Sequence, residues 1–295
     1  NKPYRELLDA AGSVFAGTGS ADSQKAFWYR AMSVAVRADY PDRGWHRTYP
    51  VTYPQGGYVV LGGGKCHLVF DAGPLGYLGI AAHGHADALS FCLAVDGEWW
   101  LVDPGTYAYH SDPAWRSYFR GTAAHNTIRV NQEDQSRIGG SFMWLKKANA
   151  WIDGLEKKEG IQIVKAHHDG YAHLGLVHRR ELRLSVSGGQ LDVVDTLQGN
   201  LDQKEFAEIH YHFAPEVEIK PGPAEHCWTA TWAGRRDRLF VYTDPRWKYE
   251  VLKGETDPIA GWYSPALEEK VPSSTLRGTA CFSVSLTNNT KIVVE

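Results

Sequence analysis

From Tyr53 onward the chain alternates apolar and polar residues with a period of two, in short runs separated by Gly, Pro, Asn and Asp. No other feature constrains the fold as strongly, because side chains two apart line one face of a strand and not of a helix. Tyr58-Val59-Val60-Leu61 and His67-Leu68-Val69-Phe70 are early examples. Three short turns read as hairpins: Asp96-Gly97 between Leu89 to Val95 and Trp99 to Val102, Ser187-Gly188-Gly189 between Arg179 to Val186 and Leu191 to Leu197, and Asn288-Asn289. Strands that follow one another with no helical pattern between them predict an all-β fold, a large antiparallel β-sandwich of the two-sheet supersandwich kind, rather than a parallel α/β sheet. Residues 1–45 read differently. Tyr4 to Phe15 is rich in Leu and Ala, and Ser23 can cap a run from Gln24 to Val36, so a short helical segment is expected there. A polar stretch from Gly199 to Lys204 marks a boundary between residues 46–200, where the candidate metal ligands lie, and residues 201–295, further sandwich strands that could form a C-terminal subdomain.

With 295 residues the chain can bury a sizeable core. Its 31 Lys and Arg against 34 Asp and Glu give a net charge of -3 with no block of like charge, which argues against nucleic acid or an anionic membrane as partner. Apolar runs such as Leu89 to Val95 and Leu239 to Tyr242 are far short of the roughly 18 residues that cross a bilayer. Cys66, Cys92, Cys227 and Cys281 form no C-x-x-C pair and are expected to be buried thiols.

The polar residues that could carry chemistry are densest between Ala82 and Ser136. His83 and His85 share a face of an extended segment, and Asp87, Asp103 and His125 are candidates to complete a three-ligand site. Imidazole and carboxylate together suit zinc, with a fourth position left for water or substrate. The H-x-H-x-D pattern also opens the metal site of metallo-β-lactamase-like hydrolases. There it is normally followed by a further His, where this chain has Ala88, and by a helix, where this chain has a strand and a turn.

The longer pattern is HGHADALSF, then LVDPGTY, then WRSYFRGTAAHNT, then EDQS and a Phe-x-Trp. In order and spacing it resembles the heparinase II/III-like polysaccharide lyases, most closely over residues 50–200. The resemblance implies one zinc ion per chain, held by His85, Asp103 and His125. It also implies β-elimination on a uronate-containing polysaccharide, in which a proton leaves C5, another reaches the departing O4, and the carboxylate is neutralised. His83 takes the position that the family places close to substrate. Tyr107, Tyr109 and Tyr118 are candidate acids or bases, and each is equally at home as a packing residue. Arg116 and Arg120 could meet an acidic sugar with forked hydrogen bonds, and Asn126 is either a substrate contact or a turn residue.

In that family much of the catalytic wall lies on a large N-terminal helical toroid, of which residues 1–45 would be the tail. The expected partners are therefore an acidic polysaccharide or oligosaccharide and the helical domain of the same parent protein, with a homodimer compatible. The expected location is periplasmic or secreted. Two readings from other classes stay open: a non-catalytic carbohydrate-binding module and a metal-dependent hydrolase. His210 and His212 share a strand face without a matching carboxylate, and His167 and His168 point to opposite faces; all four are expected to be structural.

Overall fold

The computed structural model describes residues 49–295 apart from Val186, Gly188, Asn200 and Asp202. The helices expected over residues 1–45 lie outside the described residues. Residues 49–295 form one compact unit.

Every strand pairing in it is antiparallel, as the alternation requires. A five-stranded meander runs through Val51–Tyr53, Tyr58–Gly63, Cys66–Asp71, Phe91–Val95 and Glu98–Leu101. A bridge from Leu101 to Phe213 and a hydrogen bond from Val102 N to His212 O, 3.0 Å, carry this sheet into a four-stranded one. The latter has the order Lys248–Lys253, Ser274–Phe282, Glu205–His212, Ile128–Val130. An eight-stranded sheet is the other large layer, with Leu176–Ser185, Gln190–Gly199 and Leu286–Val294 near its middle. Strands from both sides of residue 200 thus share the same sheets.

One hydrophobic cluster joins all three sheets, with Leu68, Phe91 and Trp100 from the meander, Ile209 and Leu276 from the four-stranded sheet, and Leu182, Val193 and Ile292 from the eight-stranded one. Burying side chains of this size stabilises by about 1.5–3 kcal/mol each. The strand Leu176–Ser185 shows how this core is interrupted: Leu176, Leu182 and Leu184 face inward, and so do His178 and Arg180.

Two of the expected hairpins form. Asp96 and Gly97 take φ of 48° and 82°, the left-handed pair that a two-residue turn needs, and Ser185 pairs with Gln190 around the second turn. The third does not. Asn288 and Asn289 lie inside the strand Leu286–Val294, and the turn falls before it. Asn288 is buried, accepts from Tyr249 Oη at 2.7 Å and donates to Thr290 Oγ1 at 3.1 Å, so its amide is satisfied in the sheet and does not close a turn. The cysteines are all free thiols, but only Cys66 and Cys227 are buried; Cys281 faces outward because it sits on the solvent side of the strand Ser274–Phe282.

Candidate metal centre

The first ligand-bearing segment is the loop that joins strands Cys66–Asp71 and Phe91–Val95. Its ends are pinned by reciprocal backbone hydrogen bonds, Asp71 N to Ser90 O at 2.9 Å and Leu89 N to Asp71 O at 2.8 Å. To close this way Leu89 adopts φ of 62°, a left-handed conformation that a bulky residue rarely takes. Between His85 and Asp87, Ala86 N donates to Arg120 O at 2.8 Å, which fixes the two flanking side chains on the helix Pro113–Arg120.

Asp103 follows the strand Glu98–Leu101 and accepts from Gly105 N through Oδ1 at 2.9 Å. Gly105 has φ of 85°, and a Cβ there would meet Ser264 O at 2.7 Å, so this turn requires glycine. His125 closes the 3-10 turn Thr122–Ala124 that follows the helix.

These three segments bring His85, Asp87, Asp103 and His125 together, with one potential ligand atom from each within 4.8 Å of all the others. His125 Nδ1 lies 2.8 Å from Asp103 Oδ2. With Nδ1 donating to that carboxylate, Nε2 is the atom left for a ligand, and it is buried with no hydrogen-bond partner. A buried, unpartnered imidazole nitrogen beside two carboxylates and a second imidazole is an arrangement that a zinc-type cation satisfies, so the residues present fit the metal.

Burial would lower His125, but the Asp103 carboxylate beside it raises it above the ordinary imidazole value, so a cation would have to displace a proton there. Burial, helped by the neighbouring His125, pushes His85 down to about 3, so it is the neutral imidazole that metal coordination needs. Burial would raise Asp103, yet His125, His85 and the Gly105 N–H together hold it at about 2. Burial, with repulsion from neighbouring carboxylates, keeps Asp71 and Asp87 above the usual carboxylate range despite the opposing pull of His125.

The cluster forms part of a cleft of about 830 Å³ whose lining includes Tyr58, Asp71, His83, His85, Asp87 and Asp103. His83 is exposed there, edge-on to Tyr109 at 5.4 Å and to Phe142 at 6.0 Å. Tyr109 lies under the Arg116 guanidinium, 5.2 Å from its ring centre.

The other expected site residues lie apart from the cluster. Tyr107 Oη accepts from Lys270 Nζ at 2.9 Å, and its ring lies against Trp115 and Phe119. Tyr118 lines a separate cavity of about 170 Å³ together with His210 and His212. Arg116 and Arg120 are fully buried and direct their guanidinium groups at main-chain carbonyls: Arg116 to Ser141 and Ala82, Arg120 to Gly140, Ser141 and Met143. Both arginines hold the Gly140–Met143 turn against the rim. Asn126 is a cross-tie. Its Nδ2 donates to Phe91 O at 2.7 Å and Val102 O at 3.0 Å, and its Oδ1 accepts from His212 N at 2.6 Å.

Sequence reasoning weighed Asp87 and left it out of the implied ligand set, and it missed Asp71, Tyr58 and Lys270. Asp71 ends a strand next to Ala-Gly-Pro, a position from which a carboxylate can reach a cleft, but its partner Asp87 is far along the chain.

Two imidazoles and two carboxylates gathered at a cleft in a β-sandwich make a candidate metal centre, and sequence comparison gives the family of the chain that carries it. The profile of the heparinase II/III-like C-terminal family matches residues 46–294, and the chain belongs to that family. Similar solved structures include a heparinase III, the BT4657 gene product, with a TM-score of 0.69 at 16% identity over 100% of this chain and 41% of that one. The heparan sulfate lyase HepC from Pedobacter heparinus gives a TM-score of 0.69 at 13% identity over 100% and 42%. A further heparinase III gives 0.64 at 17% identity over 81% and 35%. The chain therefore spans less than half the length of these neighbours. No curated protein matches it in sequence.

Proposed function

We propose that this chain is the zinc-binding C-terminal part of a polysaccharide lyase that cleaves a uronate-containing polysaccharide by β-elimination, in concert with the helical domain of its parent protein. The observation that carries this reading is the His85, Asp87, Asp103, His125 cluster with its partnerless His125 Nε2, in a chain of this family. Zinc held by His85, Asp103 and His125 would supply positive charge at the cleft floor, the charge that an acidic sugar meets.

The protein's own residues supply the rest. His83, exposed at the rim and backed by Tyr109 and Phe142, is placed to meet the uronate carboxylate or to carry a proton. Tyr58 lines the same cleft, and the Asp71 carboxylate beside it raises its phenol pKa, so its Oη keeps its proton and serves as a hydrogen-bond donor on the cleft wall. Asp103 orients His125, and Gly105 N fixes Asp103 in turn. The opposite wall, and with it the base that reaches C5, is assigned to the helical domain.

A periplasmic or secreted location accompanies this reading. Among the described residues no helix is long and apolar enough to cross a membrane. The first test is elemental mass spectrometry on the chain and on Asp103→Ala. About one zinc per chain, lost in the variant, supports the site, and no metal after zinc is offered overturns it. The second is the ultraviolet absorbance of an unsaturated uronate when the parent protein meets acidic glycans. New reducing ends without that absorbance indicate a hydrolase, and saturable glycan binding without either product indicates a binding module.

A further inference from the structure

Arg180 lies on the strand Leu176–Ser185, fully buried and remote in sequence from every ligand. Its Nε and Nη2 donate to the Asp195 carboxylate at 2.7 and 3.0 Å. Its remaining nitrogen, Nη1, donates to two carbonyls at once: Leu89 O at 2.6 Å and Asn126 O at 2.5 Å. Leu89 ends the segment that carries His85 and Asp87, and Asn126 is the residue after His125. One guanidinium thus spans two of the three ligand-bearing segments, and its acceptor on the first is the residue held in the left-handed conformation.

Its anchor is built as well. Asp195 Oδ1 also accepts from His178 Nε2 at 2.7 Å, His178 Nδ1 accepts from His168 Nε2 at 3.0 Å, and His168 Nδ1 accepts from Gly170 N at 3.0 Å. That last N–H fixes the tautomer of both rings, so each imidazole donates toward Asp195 and the carboxylate is held from a second side. Nothing in this chain of contacts faces the cleft, which separates it from the substrate-binding roles considered for the rim.

We propose that Arg180, anchored by Asp195, is the positioning residue of the metal centre: it sets the separation of the His85–Asp87 and His125 segments and thereby the zinc affinity. This inference rests on the metal reading above. An ordinary buried ion pair would stabilise the sandwich without regard to which carbonyls it reached. Here the fork ends on the two loops that must hold their ligands in register. A lysine has the charge but not the planar fork, so it cannot grip a carboxylate on one edge and two carbonyls on the other.

The test compares zinc affinity, by competition with a chromogenic chelator, in the parent chain, Arg180→Lys, Asp195→Asn and Leu239→Ala. Leu239 is fully buried in the strand Arg238–Tyr242 of the same sheet, outside the three ligand-bearing segments, so its variant controls for general loss of stability. Zinc affinity should fall roughly 10- to 100-fold in Arg180→Lys and less in Asp195→Asn, with a changed visible spectrum of the cobalt-loaded protein, and should hold in Leu239→Ala. If Arg180→Lys does not fold by circular dichroism, Asp195→Asn carries the test. Parent-like affinity in the folded variants, or an equal loss in Leu239→Ala, overturns the inference alone. A folded parent chain that takes up no zinc overturns the metal reading and this inference with it.

Discussion

His125 Nδ1 and Asp103 Oδ2 lie 2.8 Å apart across the cluster, one side chain fully buried and the other 43% exposed. The pair joins an imidazole in the interior to a carboxylate on the cleft lining, so the interior side chain fixes the one at the surface. Asp103→Asn keeps the shape and removes the charge. Zinc affinity should fall at least about tenfold, as read by competition titration, with little change in far-ultraviolet circular dichroism.

Asn126 makes a different prediction from the one its position in the sequence suggests. Truncation to Ala leaves two carbonyls and one N–H without partners in the interior, each costing about 1–3 kcal/mol. Asn126→Ala should therefore lower the urea midpoint severely, by an amount equivalent to about 3 kcal/mol or more. A residue that only touched substrate would leave that midpoint where it was.

Acid should unfold this domain through its histidines. Burial holds His168, His178, His210 and His212 below the ordinary imidazole value, His212 at about 3. The unfolded chain then binds more protons than the folded one below pH ~6.5, so the stability these groups contribute is complete above that pH and is lost as pH falls. The limiting slope is on the order of 5 kcal/mol per pH unit for four imidazoles. The raised carboxyls of Asp71 and Asp87 take up protons in the folded state and reduce that slope. Urea midpoints at neutral pH and two units lower should show the loss, and a glutamine at His168 should shrink it.

Lys270 helps tie the hairpin Trp262–Pro272 to Tyr107 and Trp115. Its ammonium lies 4.2 Å from the Tyr107 ring centre and 4.3 Å from that of Trp115. Lys270→Met should cost about 1 kcal/mol in a thermal melt and shift tryptophan emission, because Trp115 and Trp262 meet edge to face beside it at 5.1 Å.

The layers of this fold were legible because alternation along strands such as Leu176–Ser185 is a local property of the chain. That His85, Asp103 and His125 come together was legible because they fall in closely spaced blocks whose order could be compared with a family. Asn288-Asn289 misled because an amide that usually closes a turn here has partners from Tyr249 and Thr290. Arg180 was invisible for a plainer reason: the carbonyls it reaches lie 91 and 54 residues away, and a carbonyl leaves no mark in a sequence. Arg116 and Arg120 look alike in sequence whether they meet a sugar or the Gly140–Met143 turn.

Arg180 and Asn126 both grip main-chain atoms, at Leu89, Asn126, Phe91, Val102 and His212. Such a grip is blind to the identity of the side chains at those positions. Loops at the cleft rim can then be exchanged by mutation, natural or designed, while His85, Asp87 and His125 stay in register, so the shape of the cleft and the geometry of the cluster can change as separate traits.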